Sequence, residues 1–483
     1  MLKFSHGKRK EGVMMEQKER ESWGSRIGFI MAAAGSAIGL GNIWRFPYLT
    51  GMNGGGAFIV IYLACVFFIG LSIMLAELTV GRRTHLAAVG AYKTNSKSWT
   101  FAGVLGVLSG FMIMGFYPVV GGWSMAYIVK SFTGLLSNPA AVGDAFGAFI
   151  GDPIQPLIWT VLYMLINVYI VARGVTKGIE TAGKILMPML FGLLIIIIIK
   201  GLTLTGSSSG LSFLFVPDWS VVNGNTFLAA LGQAFFSLSL GMGCMITYGS
   251  YLNKQEKLPQ NALIVVTMDT CAAILAGLAL FPALFAFGLE PTAGPGLVFV
   301  VAPQIFAGMG GFGMIFSAFF FLALMIAALT SSVSLLEVVV AYLMDERKMS
   351  RKSAVYGTSV VMLILCVLSS LSLGVMSKAT VLGVGAFDFF DILTDKIFLA
   401  IGGMLLAIFA GWFLKKEDLR DELTNGGTLK FGLFEAWYIM IKYVIPVLIG
   451  IVAFVGITSI AQKGLMIFGL LVIVVLAAFS KKL

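Results

Sequence analysis

Apolar positions in this chain come in long runs with short polar intervals between them. They fall at about residues 26–50, 56–80, 101–130, 155–172, 184–202, 226–252, 259–288, 310–343, 354–376, 388–414, 435–460 and 465–480. A helix needs about 20 apolar residues to cross a bilayer. The pattern therefore predicts an all-α polytopic membrane protein of twelve transmembrane helices, or eleven if the short last run does not cross. Several runs exceed that length, and tilt, breaks or protruding ends are expected of them. Continuous apolar stretches such as residues 187–199 exclude the short alternating strands of a porin-like barrel.

Two runs are interrupted by residues that a helix meant only for lipid would not contain. The first holds GSAIGLGNIWRFPY, residues 35–48, with Gly35, Gly39, Gly41, Ser36, Asn42, Arg45 and Pro47. Glycine costs a helix interior about 1 kcal/mol relative to alanine, and Pro47 is a second helix-breaking signal. The sixth run centres on SLSLGMG, with Ser237, Ser239, Gly241 and Gly243. Paired interruptions five helices apart point to a transporter binding site between two inverted halves. GxxxG-type helix packing is the alternative for either run taken singly. The expected division is a tail 1–25, a first repeat 26–202, a second repeat 226–414, and two further helices in 435–480.

Composition fits this picture. Of 483 residues, 58% are hydrophobic and 12% charged, against about 25% charged in a soluble domain. The polar leader to Arg20 lacks a signal-peptide pattern, and Met14 or Met15 would serve equally as a start. The net charge of +10 lies mostly in alternate loops, including Arg82, Arg83, Arg173, Lys177, Lys254, Lys257, Arg347, Arg351, Lys415 and Lys416. The long intervals 131–154 and 289–309 hold no Lys or Arg. This alternation reads as positive-inside topology with a cytoplasmic N-terminus, and not as a nucleic-acid surface. Cys65, Cys244, Cys271 and Cys366 lie in apolar runs without metal-ligand spacing, and buried free thiols are expected.

Ionisable groups inside spans mark cavities or partners. Asp269 is a candidate cation ligand with Asn42 and Ser237, since oxygen donors suit hard cations. Ala327, Thr330 and Ser331 share one helix face and would line half of a second ion site. The alternative is that the two hydroxyls bond back to their own helix. Asp345 lies about 27 Å further along that helix, at its cytoplasmic mouth. Glu337, between them, receives no role. Asp388 and Asp391 open the tenth span, where a carboxylate can meet Arg45 and close an outer vestibule. Arg20 and Asp345 offer the mirror arrangement inside, although each charge alone could snorkel to the interface.

The run WRFPYLTGMNGGGAF, residues 44–58, resembles the signature of the neurotransmitter:sodium symporters. GSAIGLGN before it, SLSLGMG in the sixth span and ALTSS in the eighth resemble that family's other site motifs, in the right order along the chain. The resemblance is nearest to bacterial sodium-coupled carriers of hydrophobic and aromatic amino acids. It implies the leucine-transporter-type fold, a five-plus-five inverted repeat with helices 1 and 6 broken mid-membrane, in a bacterial inner membrane.

By position, the resemblance implies two sodium ions and no organic cofactor. The first ion would use Ala37, Asn42, Ser237, Asp269 and the substrate carboxylate. The second would use the carbonyls of Gly35, Ile38 and Ala327 with the hydroxyls of Thr330 and Ser331. The substrate carboxylate would rest on the amides of Leu40 and Gly41 and on Tyr117, and its ammonium on carbonyls of Ala37, Phe236, Ser237 and Ser239. Ile113, Tyr117, Val120, Phe236, Met242 and Leu335 would line the side-chain pocket, with Ser331 beside them. Arg45 with Asp391 would form the outer gate. Arg20 with Asp345, supported by Trp23 and Tyr251, would form the inner one. Gly39 stands where monoamine carriers have aspartate, which points to substrates that bring their own carboxylate. Asp269 and Ala273 stand where chloride-dependent members have asparagine and serine, which points to chloride independence.

The expected function is sodium-coupled import of hydrophobic or aromatic L-amino acids by alternating access, by a monomer or weak dimer in the bilayer. A channel or a non-transporting sensor on the same scaffold is the rival. An enzyme is not expected: His6 and His85 both lie outside the spans, and no nucleophile–base pair is visible.

Overall fold

The computed structural model describes residues 21–138, 141–289 and 297–483. Within them the regular secondary structure is helical, apart from two isolated bridges, Gly55 with Pro217 and Val381 with Val384. The principal helices are α1 (Arg26–Ala37), α2 (Gly41–Met52), α3 (Gly56–Thr84), α4 (Lys97–Lys130), α5 (Gln155–Ala172), α6 (Val175–Leu202) and α7 (Gly224–Ser237). They continue as α8 (Cys244–Gly249), α9 (Leu258–Ala286), α10 (Gly310–Arg347), α11 (Arg351–Leu371), α12 (Ala386–Phe413), α13 (Phe434–Thr458) and α14 (Lys463–Phe479). Among the described residues 9 helices are long and apolar enough to cross a membrane, and α1 with α2 makes a tenth, bent by 50°.

Both expected interruptions are present. The first separates α1 from α2 at residues 38–40, and the sixth run divides into α7 and α8 around residues 238–243. Pro47 does not end a helix. It sits in the first turn of the segment Phe46–Met52, directly after a π-helical turn, Gly41–Arg45, in which the Phe46 N–H reaches back to the Gly41 carbonyl. A widened turn accommodates a residue that lacks an N–H and crowds the preceding turn. The last run forms α14, a helix of 17 residues, about 25 Å long at 1.5 Å per residue. It packs on α4 and α12.

Helix α10 is the axis of the bundle and touches α1, α4, α5, α6 and α11. Helix α1 packs against α6, α9 and α10, while α8 packs against α3. Exposed apolar side chains run along α5 (Ile158, Leu165), α13 (Val447, Phe454) and α14 (Ile467, Val474), where hydrocarbon would lie. Cys65, Cys244 and Cys366 are buried free thiols, as expected, but Cys271 is exposed, because it occupies the outward face of α9.

The α3–α8 contact brings backbone against backbone. A Cβ on Gly81 would stand 2.0 Å from the Ile246 carbonyl oxygen, and one on Gly249 would stand 2.7 Å from that of Leu78. Neither obstacle can rotate away as a side chain would. Substituting Gly81→Ala is expected to destabilise the fold by about 1–3 kcal/mol, the usual cost of overpacking. A thermal unfolding midpoint in detergent equal to that of the unsubstituted protein would contradict this.

Candidate functional site

Breaking a helix frees backbone groups that then need partners. At the first break Ile38 turns extended, with φ −73 and ψ 102. The Gly39 N–H donates to Asn42 Oδ1 at 3.0 Å, and the Leu40 N–H donates to the Tyr117 hydroxyl at 3.0 Å. Gln233 Nε2 donates to the Gly41 carbonyl at 2.7 Å. At the second break Ser239, Gly241 and Gly243 all take positive φ. The Gly241 N–H donates to Glu77 Oε1 at 2.7 Å, and Ser239 Oγ donates to the Ser36 carbonyl at 2.7 Å. The last of these ties one break to the other.

Between the breaks lies a polar cluster without water access. Asn42 Nδ2 donates to Asp269 Oδ1 at 2.7 Å, to the Asp269 carbonyl at 3.0 Å and to Ser237 Oγ at 3.0 Å. The Ser237 hydroxyl lies 2.9 Å from both carboxylate oxygens of Asp269. Tyr62, which sequence reasoning missed, joins from α3 at 3.5 Å from Asp269 Oδ2. Asn42 and Asp269 are fully buried, and Ala37 and Ser237 nearly so. The hydrogen-bond partners of this carboxylate are all neutral. Such a group requires a cation or a proton, and a set of carboxylate, amide and hydroxyl oxygens fits a hard monovalent cation.

A second group forms where α10 crosses α1. Ser331 Oγ lies 3.3, 3.0 and 3.3 Å from the carbonyls of Gly35, Ser36 and Ile38. Thr330 faces Gly35, where an added Cβ would approach its own at 3.0 Å. The Thr330 hydroxyl bonds back to Ile326 at 3.1 Å and Ala327 at 3.2 Å, the alternative left open by spacing. The five residues Gly35, Ile38, Ala327, Thr330 and Ser331 are thus gathered. Helix α10 is fixed in rotation by Ser332, which meets Tyr163 at 2.8 Å and Asn167 at 2.7 Å.

Tyr117 stands at the start of the second half of α4, beside Pro118 and after an irregular turn at residues 114–116. Gly39 faces it so closely that a Cβ would lie 2.7 Å from the Tyr117 hydroxyl and 2.4 Å from Ser331 Oγ. A cavity of about 640 Å³ leads from the Arg45 side down to Leu40, Tyr117 and the half-buried Phe236. Ile113, Val120, Met242 and Leu335 are buried and do not line it.

On the Arg45 side one expectation is corrected. Arg45 Nη1 donates to Asp395 Oδ1 at 2.6 Å, and Asp391 is not its hydrogen-bond partner. Asp395 lies one turn deeper on the same helix face, within a π-helical turn, Leu393–Phe398, and reaches the guanidinium first. Asp388 and Asp391 line the same cavity, and Arg45 also stacks over Phe236 at 4.8 Å. The i, i+4 spacing of Asp391 and Asp395 was the available signal.

The opposite side is shut. Trp23 is buried, its indole N–H donates to the Tyr248 carbonyl at 3.0 Å, and its amide donates to the Tyr251 carbonyl at 3.2 Å. The Tyr251 hydroxyl donates to Glu337 at 2.6 Å, and Arg351 clamps the same carboxylate at 2.7 and 2.9 Å. Glu337 thereby gains a role, and Arg351 is a residue that sequence reasoning counted only as a loop charge. Asp345 accepts the Ala87 N–H at 2.8 Å. Arg20 lies outside the described residues, as does its expected pairing.

The sequence model of the Sodium:neurotransmitter symporter family matches residues 20–141 and 150–470. An uncharacterized sodium-dependent transporter of Bacillus subtilis, YhdH, is 39% identical over 91% of this chain and 98% of its own. The sodium-dependent serotonin transporter of Drosophila melanogaster is 27% identical over 92% of this chain and 78% of its own. A crystal structure of MhsT in complex with L-phenylalanine superposes with a TM-score of 0.83 at 47% identity, covering 91% of this chain and 100% of that one. The fold is accordingly the leucine-transporter type, with five-plus-five inverted repeats. The chain belongs to the sodium:neurotransmitter symporter family and is a multi-pass, sodium-dependent transporter rather than an enzyme.

Proposed function

We propose that this transporter imports hydrophobic or aromatic L-amino acids with two sodium ions, by alternating access and without chloride. The observation that carries the reading is the buried Asp269 carboxylate, surrounded by neutral partners and one helix break away from the Leu40 amide. One ion would be held by Ala37, Asn42, Ser237, Asp269 and the substrate carboxylate. The other would be held by Gly35, Ile38, Ala327, Thr330 and Ser331. An incoming carboxylate would share the Leu40 and Gly41 amides with the Tyr117 hydroxyl, at the positive end of a half-helix. The ammonium would find the carbonyls of Ala37, Phe236, Ser237 and Ser239.

Substrate class would follow from a side-chain subsite beyond the open cavity. Phe236 at the cavity floor, with the buried Ile113, Val120, Met242 and Leu335, would offer no charge to an acidic or basic side chain, and Met242 is adaptable in shape. The crowding at Gly39 leaves no space for a carboxylate that would replace the substrate's own. The phenylalanine in the MhsT complex agrees with an aromatic ligand. Asp269 supplies in fixed form the negative charge that chloride would otherwise bring. With the basic loops cytoplasmic, Arg45 and Asp395 make the outer gate, and the Trp23, Tyr251, Glu337 and Arg351 group makes the inner one.

In proteoliposomes with a sodium gradient, labelled phenylalanine uptake should be competed by tryptophan, tyrosine and leucine but not by aspartate or lysine. Equal competition by lysine would refute the apolar pocket. Replacing chloride by gluconate should leave uptake unchanged, while Asp269→Ala should abolish sodium-dependent binding. Chloride-dependent uptake, or normal sodium affinity in that variant, would each overturn the assignment of Asp269. Arg351→Ala leaves Glu337 buried with the Tyr251 hydroxyl but without a counter-charge, a cost of about 3–5 kcal/mol to the closed inner side. A cysteine introduced by Thr247→Cys should then react with a soluble thiol reagent at least tenfold faster, and an unchanged rate would remove Arg351 from the gate.

A further inference from the structure

The junction of α12 and α13 carries cations that the transport site does not use. The Lys442 ammonium lies 4.8 Å from the Trp412 ring and 5.5 Å from each of the Tyr438 and Tyr443 rings. The Trp412 indole N–H donates to the Lys442 carbonyl at 2.8 Å, which holds the ring beside the ammonium. Lys416 lies 5.3 Å from the same Tyr438 ring and pairs with Glu435 at 2.7 Å. Arg420 sits 4.7 Å over Phe434 and pairs with that same carboxylate.

Two cations, Lys416 and Arg420, therefore share Glu435, and Lys442 has no carboxylate partner among the described residues. Neighbouring acids do not restore the balance. Asp418 is engaged by Arg83 and Glu422 by Arg82. Glu417 and Asp421 are exposed, and among the described residues neither forms an ion pair with Lys416, Arg420 or Lys442. Beside the cations the surface is apolar: Trp412, Phe413, Ile439 and Tyr443 are each more than half exposed. Cations held against aromatic rings, with apolar surface next to them at the end of two membrane helices, match both parts of an anionic lipid.

We infer that this junction binds an anionic phospholipid, with the phosphodiester against Lys442 and Lys416 and the acyl chains along Trp412, Ile439 and Tyr443. The test uses the full-length protein in native mass spectrometry, with phosphatidylglycerol and phosphatidylcholine of identical chains. Phosphatidylglycerol should be retained in preference, and Lys442→Ala should lower its retention about fivefold, the equivalent of the ~1 kcal/mol a juxtamembrane lysine contributes. Lys442→Arg should restore it, and sodium-dependent substrate binding in both variants would show that they are folded. Equal retention of the two lipids, or undiminished retention by Lys442→Ala, would overturn the proposal. Displacement by millimolar glycerol phosphate would overturn the lipid as occupant.

Discussion

A polar backbone group in hydrocarbon has no water to turn to, and each one left unpaired costs several kcal/mol. That constraint organises this protein more than any single contact does. Two helices are interrupted at the depth where the penalty is greatest, and the surrounding helices are placed so that Tyr117, Gln233, Glu77, Ser239 and Ser331 reach the freed groups. Tyr117 comes from α4, Glu77 from α3 and Ser331 from α10, so the scaffold is fixed by what the breaks require. Under the proposed function, the groups that answer the breaks would also be those that exchange partners with an ion or a substrate.

The same requirement explains what could be read from the chain. The breaks were legible because glycine and serine in mid-span are locally unfavourable, and the convergence of Asn42, Ser237 and Asp269 because buried polar side chains have few destinations. Periodicity on α10 put Ala327, Thr330 and Ser331 on one face, and the structure places that face against α1. Other features were not legible. Asp391 and Asp395 share a face, and spacing along the helix does not decide which one meets Arg45. Glu337 found its partner in Arg351, a residue that topology alone explained as a loop charge. Tyr62 and Glu77 lie on α3, whose sequence gives no hint that it reaches the Asp269 cluster and the second break. Pro47 misled in the other direction, since a widened turn absorbs it.

The two ion pairs that flank the site differ in setting. The side chains of Arg45 and Asp395 keep 28% and 20% of their exposure, whereas those of Arg351 and Glu337 keep 10% and 0%. The first pair keeps about a quarter of its exposure, so water can replace each partner as the two separate. A buried pair has no such replacement until solvent enters. Separation of Arg351 from Glu337 is therefore the more costly event and would be passed once in every turnover, giving the cycle an uneven tempo. The carrier would pause with its Arg45 side accessible, and its maximum velocity would be set by how quickly the far side hydrates.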